Sequence, residues 1–381
     1  EEPVISWAPY EAPAPDHTID VTDAAYGAVP DDGLDDSPAI HAALEAAKAL
    51  AGNVDVVFPT GTYDLISESP AGSDAGIHLV NASDIRLVGN GSTLKLHPQT
   101  IAEIEAILAQ PGAELKDWKF RHTIDIQNSQ NIEIDNFKIR MAFEPNLAGT
   151  VVPGSIDLVN DTFDLQIAPN YTLDVLAYMQ LYLDPPFVSE DGTQMFGYLL
   201  DPVVNGRLKA DTPNFVRPTE MQDLGGGIIR VSLNSSTGSR LSFFEDNDRF
   251  VMLGRQTLHG GIYFKENADV TFRRIDYQSL AGSPFVGVNG VRMAVIDCSA
   301  AIEPGKWSSA AADFVHAQSA RQGPWVEGCF VEGIGDDTIA AYTVPHNYTH
   351  LDSDTIRYGS YNIGFYEVGD RFRLIDPETK E

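Results

Sequence analysis

A short strand-like segment recurs four times in the second half of the chain. Its copies occupy residues 259–264, 283–288, 312–317 and 336–341, so they begin 24, 29 and 24 residues apart. A period of this length is typical of repeat proteins, because one short strand cannot bury its apolar face and must stack on its neighbours. In such a stack, parallel strands of successive turns lie about 4.7–4.9 Å apart. The repeat therefore predicts an all-β chain built as a parallel β-helix.

A second set of aligned positions supports the same register. Three apolar positions recur in three successive turns: Val270, Phe272 and Ile275, then Met293, Val295 and Cys298, then Pro324, Val326 and Cys329. The chain has two cysteines, and this alignment puts both at one position in adjacent turns. We therefore expect two stacked thiols in the core rather than a disulfide.

The alignment also brings acidic side chains together. Asp313 and Asp337 share one column in adjacent turns, and Asp336 directly precedes Asp337. Strand spacing puts the backbones of Asp313 and Asp337 about 5 Å apart. Crowded carboxyls favour a protonated acid beside an ionised base, which is the pairing that glycoside hydrolysis uses. Aspartate also caps strand ends and turns for structural reasons, but the shared column favours a catalytic role for all three.

The predicted roles follow from the arrangement of the three acids. We predict that Asp313 protonates the glycosidic oxygen and that Asp336 and Asp337 hold the attacking water. The residues alone also permit the acid and base roles to be exchanged. The spacing of adjacent coils alone permits either retention or inversion, but two successive carboxylates suit a shared water, so the expected stereochemical outcome is inversion at the anomeric carbon.

Seven other side chains are predicted to line a sugar-binding groove: His122, His259, Arg292, Glu303, Trp307, His316 and Arg321. His316 lies on the strand of Asp313, where it touches the sugar or adjusts Asp313. His259 aligns with Asp336 in the repeat, and His122 aligns with Asp337. Glu303 and Trp307 belong to the long turn before Asp313, and an aromatic ring can cover the C–H face of a sugar. The structural alternative for each is a side chain that packs on its own coil.

Composition excludes several classes of function. Acidic residues outnumber basic residues 55 to 25, and the net charge of −30 opposes binding to nucleic acid and to anionic membranes. No stretch approaches 18 apolar residues, and no cysteine and histidine spacing indicates zinc. We expect a carbohydrate partner and neither a cofactor nor a metal. The oligomeric state considered is a homodimer. Glu1 begins neither a basic nor an apolar run, so any secretion signal has been removed or was never there. We expect a secreted or periplasmic protein, a location that the start of the chain does not itself indicate.

The pattern of the chain indicates four regions. Residues 1–143 are read as an extended arm, a capping helix with Ser37 as N-cap, and the first coils of the β-helix. Residues 144–258 carry no coil pattern and contain alternating strands, which predicts an inserted β-sandwich or barrel. Residues 259–347 hold the coils with the acids. Residues 348–381 are interpreted as the start of a second β module, cut short in a piece of a longer protein.

The N-terminal segments carry a resemblance to a known superfamily. Tyr26-Gly27-Ala28 leads through paired aspartates to the predicted helix, and Phe58-Pro59-Thr60-Gly61-Thr62-Tyr63 follows it. This order resembles the N-terminal end of the pectin-lyase-like β-helix superfamily. The resemblance implies a right-handed parallel β-helix, but the superfamily contains hydrolases, lyases, epimerases and phage tailspikes, so it does not define a reaction.

The segment from Gly335 to Ala340, with Asp313 one coil earlier, resembles the motif of glycoside hydrolase family 28, the inverting polygalacturonases. The Gly-His-Gly coil and Arg-x-Lys of that family do not follow here. The chain more closely resembles glycoside hydrolase family 110, the exo-acting α-1,3-galactosidases, in Asp313, His316, Arg321 and the aspartate pair. That resemblance implies an inverting, exo-acting α-galactosidase. Ala340 and Tyr342 depart from it, since the family carries Asn and His at this point.

Other functions on the same fold are a polygalacturonase-like hydrolase, a polysaccharide lyase or epimerase, and a carbohydrate-binding β-helix without catalysis. A lyase needs a base, commonly Lys or Arg, where the aligned column holds acids. A binding surface has no reason to crowd three carboxylates. The sequence therefore favours a glycoside hydrolase.

Overall fold

The structure is a computed structural model that describes residues 7–67, 75–110, 121–183, 196–213, 215–233, 240–254, 260–343, 348–352, 355–358 and 369. The N-terminal third supplies the first coils of a parallel β-helix. Its strands are β1 (His17–Asp20), β2 (Val54–Val57), β3 (Thr62–Leu65), β4 (Ala75–Val80), β5 (Ser83–Leu96), β6 (His122–Gln127) and β7 (Gln130–Met141). Its helices are α1 (Ser37–Lys48) and α2 (Ile101–Leu108).

Helix α1 covers the N-terminal end of the β-helix core. Ile40, Leu44 and Ala47 recur on one face and are buried, as an amphipathic helix against a core requires. The prediction of Ser37 as N-cap was wrong by one residue, because the helix already includes Ser37 and its N-cap is Asp36. The Asp36 carboxylate does not cap the helix. It accepts the backbone N–H groups of Val29 and Asp64 and so joins two neighbouring segments.

The middle of the chain forms a separate antiparallel sheet, which we call the inserted sheet. Its strands are β8 (Leu147–Val151), β9 (Thr162–Ile167), β10 (Phe196–Leu200), β11 (Pro218–Gly225), β12 (Ile228–Leu233) and β13 (Arg249–Leu253), with helix α3 (Leu176–Leu183) between β9 and β10. They pair in the order β10-β13-β8-β9-β12-β11. This agrees with the alternating pattern of the sequence, while the division of the chain into domains stays a prediction.

The β-helix resumes after the inserted sheet. Its strands are β14 (Ile262–Lys265), β15 (Ala268–Arg273), β16 (Asp276–Gln278), β17 (Phe285–Val288), β18 (Val291–Ile296), β19 (Ser299–Ala300), β20 (Val315–Gln318), β21 (Trp325–Glu327), β22 (Phe330–Val331) and β23 (Ile339–Tyr342). A six-stranded parallel sheet has the order β23-β20-β17-β14-β6-β4. An eleven-stranded parallel sheet includes the path β1-β2-β5-β7-β15-β18-β21. The predicted parallel β-helix is confirmed.

The predicted register is confirmed at the acids and shifts by one residue earlier in the chain. Val315 pairs with Ile339, which sets Asp313 opposite Asp337. In the coil before, Phe285 pairs with Val315 where the sequence alignment had placed Val286. The physical reason is that Phe285, rather than Val286, takes the inward position, where its buried ring packs between Phe272 and Phe314. This places Phe285 opposite the inward Val315, and its N–H donates to the Phe314 carbonyl.

The core between the sheets is filled by aromatic rings and small apolar side chains. Phe272, Phe285 and Phe314 lie in successive coils with ring centroids 5.0 and 5.5 Å apart. Cys298 and Cys329 are free thiols at equivalent positions of adjacent coils, as predicted. Burial raises the pKa of Cys298, and a hydrogen bond from the Cys298 side chain lowers the pKa of Cys329 to about 7.

Beyond β23, the structure describes a short antiparallel pair, β24 (Tyr348–His350) and β25 (Ile356–Tyr358). The remaining part of the predicted second β module lies outside the described residues, apart from Gly369. None of the helices in the described part of the chain has the length and apolarity of a membrane-spanning segment.

Candidate active site

Asp313 lies two residues before β20, and both of its carboxylate oxygens have hydrogen-bonding partners. Oδ1 accepts the backbone N–H of Asp337 from the next coil at 3.1 Å. Oδ2 lies 2.6 Å from Nδ1 of His316, three residues further along the chain. The other ring nitrogen, Nε2, lies 3.1 Å from the Tyr342 hydroxyl on β23. Strand alternation produces this arrangement, since Val315 and Ala317 point into the core and His316 points outward.

The three predicted catalytic acids do come together. Asp313, Asp336 and Asp337 each place a carboxylate oxygen within 4.8 Å of the others. Asp313 is buried, Asp336 is half-buried and Asp337 is exposed, so the cluster runs from the coil to the surface. Among the described residues this is the one group of acidic, histidine or cysteine side chains with a spacing that also suits a cation. We call it the carboxylate trio.

A cavity of about 280 Å³ opens beside the last two acids of the trio. One wall is the turn of residues 333–337, which we call the aspartate turn. The opposite wall comes from the inserted sheet, which sequence reasoning did not connect with the site. The lining side chains from the inserted region are Tyr198, Leu200, Leu208, Phe215, Val251 and Leu253.

Trp307 lines the same cavity and is firmly attached to the inserted region. The Arg249 guanidinium lies 4.4 Å from the centre of the Trp307 ring, and the Trp307 backbone N–H donates to the Tyr171 hydroxyl. Glu303, from the same long turn, accepts a hydrogen bond from Ser279 and is not among the lining residues of the cavity. Of the two predicted side chains in this turn, the structure brings Trp307 to the acids.

The remaining predicted binding residues lie elsewhere or outside the described chain. His122 stacks on Tyr263 with ring centroids 5.0 Å apart, three strands from β20 in the same sheet. Arg292 lies on the other sheet and pairs with Asp269, with N–O distances of 2.5 and 2.6 Å. Arg321 is exposed in the turn after β20, and its backbone N–H donates to Gly290. His259 is outside the described residues.

Two side chains near the acids were missed by the sequence analysis. The position of Tyr342 could have been predicted, because alternation along β23 puts Ala340 and Tyr342 on the outward face beside His316 and Gln318. The contact of Tyr198 could not have been predicted, because Tyr198 is 137 residues from Gly335 in the chain and reaches the aspartate turn only through the packing of the inserted sheet.

Comparisons with known proteins agree with this architecture. A family model described as "Rhamnogalacturonase A/epimerase, pectate lyase-like" matches residues 18–171. The chain has the pectin-lyase-like fold. A curated relative of this pectin-lyase-like chain, alpha-1,3-galactosidase A of Streptomyces avermitilis, is 23% identical over 346 residues. The alignment covers 84% of the chain and 51% of the relative, so the chain spans about half the length of that protein.

Solved structures with similarity to the chain are distant. A protein described as a "putative glycosyl hydrolase", from Parabacteroides merdae, has 11% identity and a TM-score of 0.39, covering 86% of this chain and 93% of its own. The family 28 exopolygalacturonase of Yersinia enterocolitica has 12% identity and a TM-score of 0.33, covering 86% of this chain and 44% of its own. A mannuronan C-5 epimerase module from Azotobacter vinelandii has 12% identity and a TM-score of 0.37, covering 84% and 58%.

Proposed function

We propose that the protein is an inverting, exo-acting glycoside hydrolase that releases terminal α-1,3-linked galactose, or a related galactoside, from oligosaccharides or polysaccharides. The observation that carries the proposal is the carboxylate trio, in which acids from two adjacent coils meet at the edge of a cavity. The 23% identity to an alpha-1,3-galactosidase supports the choice of sugar and linkage. As an enzyme acting on such glycans, it belongs outside the cytoplasm.

The hydrogen bonds of Asp313 favour the exchanged assignment of acid and base. Oδ1 accepts the Asp337 N–H, and a proton on Oδ2 would point at the His316 ring rather than into the cavity. Asp313 is therefore poorly placed to protonate a glycosidic oxygen. Asp336 lines the cavity and is half-buried, which suits a general acid. We assign the proton donor to Asp336, and the base to Asp313 with Asp337.

The water that attacks the sugar fits between the two base carboxylates. Each carboxylate oxygen has two lone pairs, so Asp313 can accept a hydrogen bond from water in addition to its present partners. Oxygens within 4.8 Å can be bridged by a single water, because each O–H···O bond spans about 2.7 Å. The water gives a proton to the base as its oxygen bonds to the anomeric carbon. Asp336 gives its proton to the departing glycosidic oxygen, and attack by the water on the face opposite that oxygen inverts the carbon. The nearest carboxylate oxygens of the trio lie within 4.8 Å of one another, which is shorter than the roughly 6.5–9.5 Å usual between the acid and base of an inverting enzyme. The shared water, rather than this spacing, therefore supports inversion.

The lining of the cavity favours a neutral sugar over a uronate. Asp336 and Asp337 are the charged residues among the described lining side chains, and no Lys or Arg is among them. A uronate carboxylate there would meet two acids with no cation to offset them. The apolar wall of Leu200, Leu253 and Trp307 suits the C–H face of a sugar ring instead. This argues against the polygalacturonase-like and lyase alternatives.

A substrate panel tests the proposal. Purified protein should release galactose from an aryl α-galactoside and from α-1,3-linked galactosides, with little release of galacturonate from the matching α-galacturonide. The Asp336→Asn variant, purified in the same way, controls for contaminating enzymes. Activity on the galacturonide alone, or equal activity of protein and variant on the α-1,3-linked galactosides, would contradict the proposal.

A further inference from the structure

The inserted sheet makes a direct contact with the aspartate turn. The hydroxyl of Tyr198, on strand β10, donates a hydrogen bond to the backbone carbonyl of Gly335, the residue immediately before Asp336. Tyr198 and Gly335 are both buried, and both line the cavity. Strand β10 is one of the two edge strands of the inserted sheet, and its Tyr198 side chain reaches the β-helix at Gly335.

Gly335 is enclosed on two sides. A methyl group on its Cα would overlap the Leu253 side chain of β13 and the Ala311 carbonyl of the preceding coil. Its N–H donates to the Ala310 carbonyl at 2.9 Å. The aspartate turn is therefore held between its own β-helix and the inserted sheet.

The contact continues without a break to the acids. Gly335 is followed by Asp336 and Asp337, and the Asp337 N–H donates to Asp313 Oδ1. A hydrogen bond from Tyr198 therefore fixes the peptide from which both cavity-lining acids project. Small displacements of reacting groups are costly, since a misplacement of about 1 Å can reduce a rate by roughly a hundredfold.

The inserted region holds the other wall of the cavity as well. Lys306 pairs with Glu144 at 2.9 Å, and the Asn205 side chain donates to the Lys306 carbonyl at 2.8 Å. Trp307 follows directly and packs against Arg249 of β13. The two segments that flank the cavity, the turn with Trp307 and the aspartate turn, are both attached to the same inserted region.

We propose that Tyr198 is a positioning residue, through which the inserted sheet sets the geometry of Asp336 and Asp337. The inserted sheet is then part of the catalytic machinery rather than an appended module. This inference rests on the proposed function for its effect on turnover, but its effect on the aspartate turn is independent of any substrate.

The chain offers a matched control for Tyr198. Tyr178, on helix α3 of the inserted region, donates its hydroxyl to the Gln99 carbonyl of the β-helix side at 2.9 Å. Tyr198 and Tyr178 are 7% and 8% exposed, so each variant to phenylalanine removes one buried hydroxyl from the same kind of contact. The Tyr178 contact does not involve the aspartate turn or the lining of the cavity.

The experiment compares Tyr198→Phe and Tyr178→Phe in the full chain. We expect Tyr198→Phe to lower kcat by roughly ten- to a hundredfold with KM little changed. Tyr178→Phe should lower Tm by about as much as Tyr198→Phe does, but it should keep the wild-type kcat. Hydrogen exchange of the Asp337 amide, which donates to Asp313, should accelerate by about tenfold or more in Tyr198→Phe alone. Wild-type exchange at Asp337 in Tyr198→Phe, or equal effects of the two variants, would overturn the inference. An inactive wild-type protein with accelerated exchange in Tyr198→Phe would contradict the proposed function and leave the positioning role supported.

Discussion

Oδ2 of Asp313 and Nδ1 of His316 lie 2.6 Å apart, on a strand where the histidine faces outward and the aspartate is 4% exposed. The second ring nitrogen meets the Tyr342 hydroxyl, so His316 is held at both ends. A ring fixed in this way holds the carboxylate in one orientation, as orienting partners do for reactive groups generally. The sequence left two roles open for His316, contact with the sugar or adjustment of Asp313, and this geometry favours the second.

His316→Ala should separate those two roles. If His316 orients Asp313, kcat falls by roughly tenfold or more while KM stays near its wild-type value. Tyr342→Phe should give a smaller loss of the same kind, because the ring contact with His316 remains. Steady-state kinetics on an aryl α-galactoside measures both constants. A raised KM with unchanged kcat would identify His316 as a sugar contact instead.

Each acid of the carboxylate trio should be essential. Asp313→Asn, Asp336→Asn and Asp337→Asn are each expected to lose at least about a hundredfold in turnover on an α-1,3-linked galactoside, since general acid–base catalysis contributes about 10²–10⁴. Circular dichroism and thermal melting check that the variants are folded. Near-wild-type turnover of any one variant would remove that residue from the mechanism.

The leaving group should distinguish the acid from the base. A dinitrophenolate leaves without protonation, so a variant that lacks the general acid keeps most of its activity on a dinitrophenyl α-galactoside. We expect this behaviour from Asp336→Asn, whereas Asp313→Asn and Asp337→Asn stay impaired on both substrates. Retained activity in Asp313→Asn, with Asp336→Asn impaired on both, would restore the assignment of Asp313 as proton donor.

Asp36 should make a measurable contribution to the pH dependence of stability. Burial raises its pKa to about 6 in the folded protein, from 3.8 when unfolded. Between these values the folded state binds more protons than the unfolded state, so this group lowers the free energy of unfolding as pH rises from about 4 to 6.

Asp36→Asn removes that titration. Urea unfolding at pH 4 and pH 7 should show the free energy of unfolding of the variant rising relative to wild type between the two values. A difference between variant and wild type that stays constant with pH would show that burial does not raise the pKa of Asp36.

The stacking of coils was predictable because it repeats a local pattern. Val315 and Ile339 are inward apolar positions of one repeated strand, and aligning them brought Asp313 opposite Asp337. The shift at Phe285 was missed because Phe285 and Val286 are both apolar, so the sequence did not show which of them points inward. The wall formed by Tyr198 and Leu253 was missed for a different reason. These residues approach the acids through the packing of a separate sheet, and no spacing along the chain encodes that contact.

The stereochemistry of the first product tests the central claim most directly. The proposed mechanism has one water held by carboxylates of adjacent coils, with no covalent bond between enzyme and sugar. Proton NMR of an α-galactoside digest, recorded before mutarotation, should show β-galactose appearing first. The appearance of α-galactose first would indicate a covalent intermediate and contradict the roles of Asp313, Asp336 and Asp337. The absence of galactose from every α-galactoside would contradict the assignment of galactose as the released sugar.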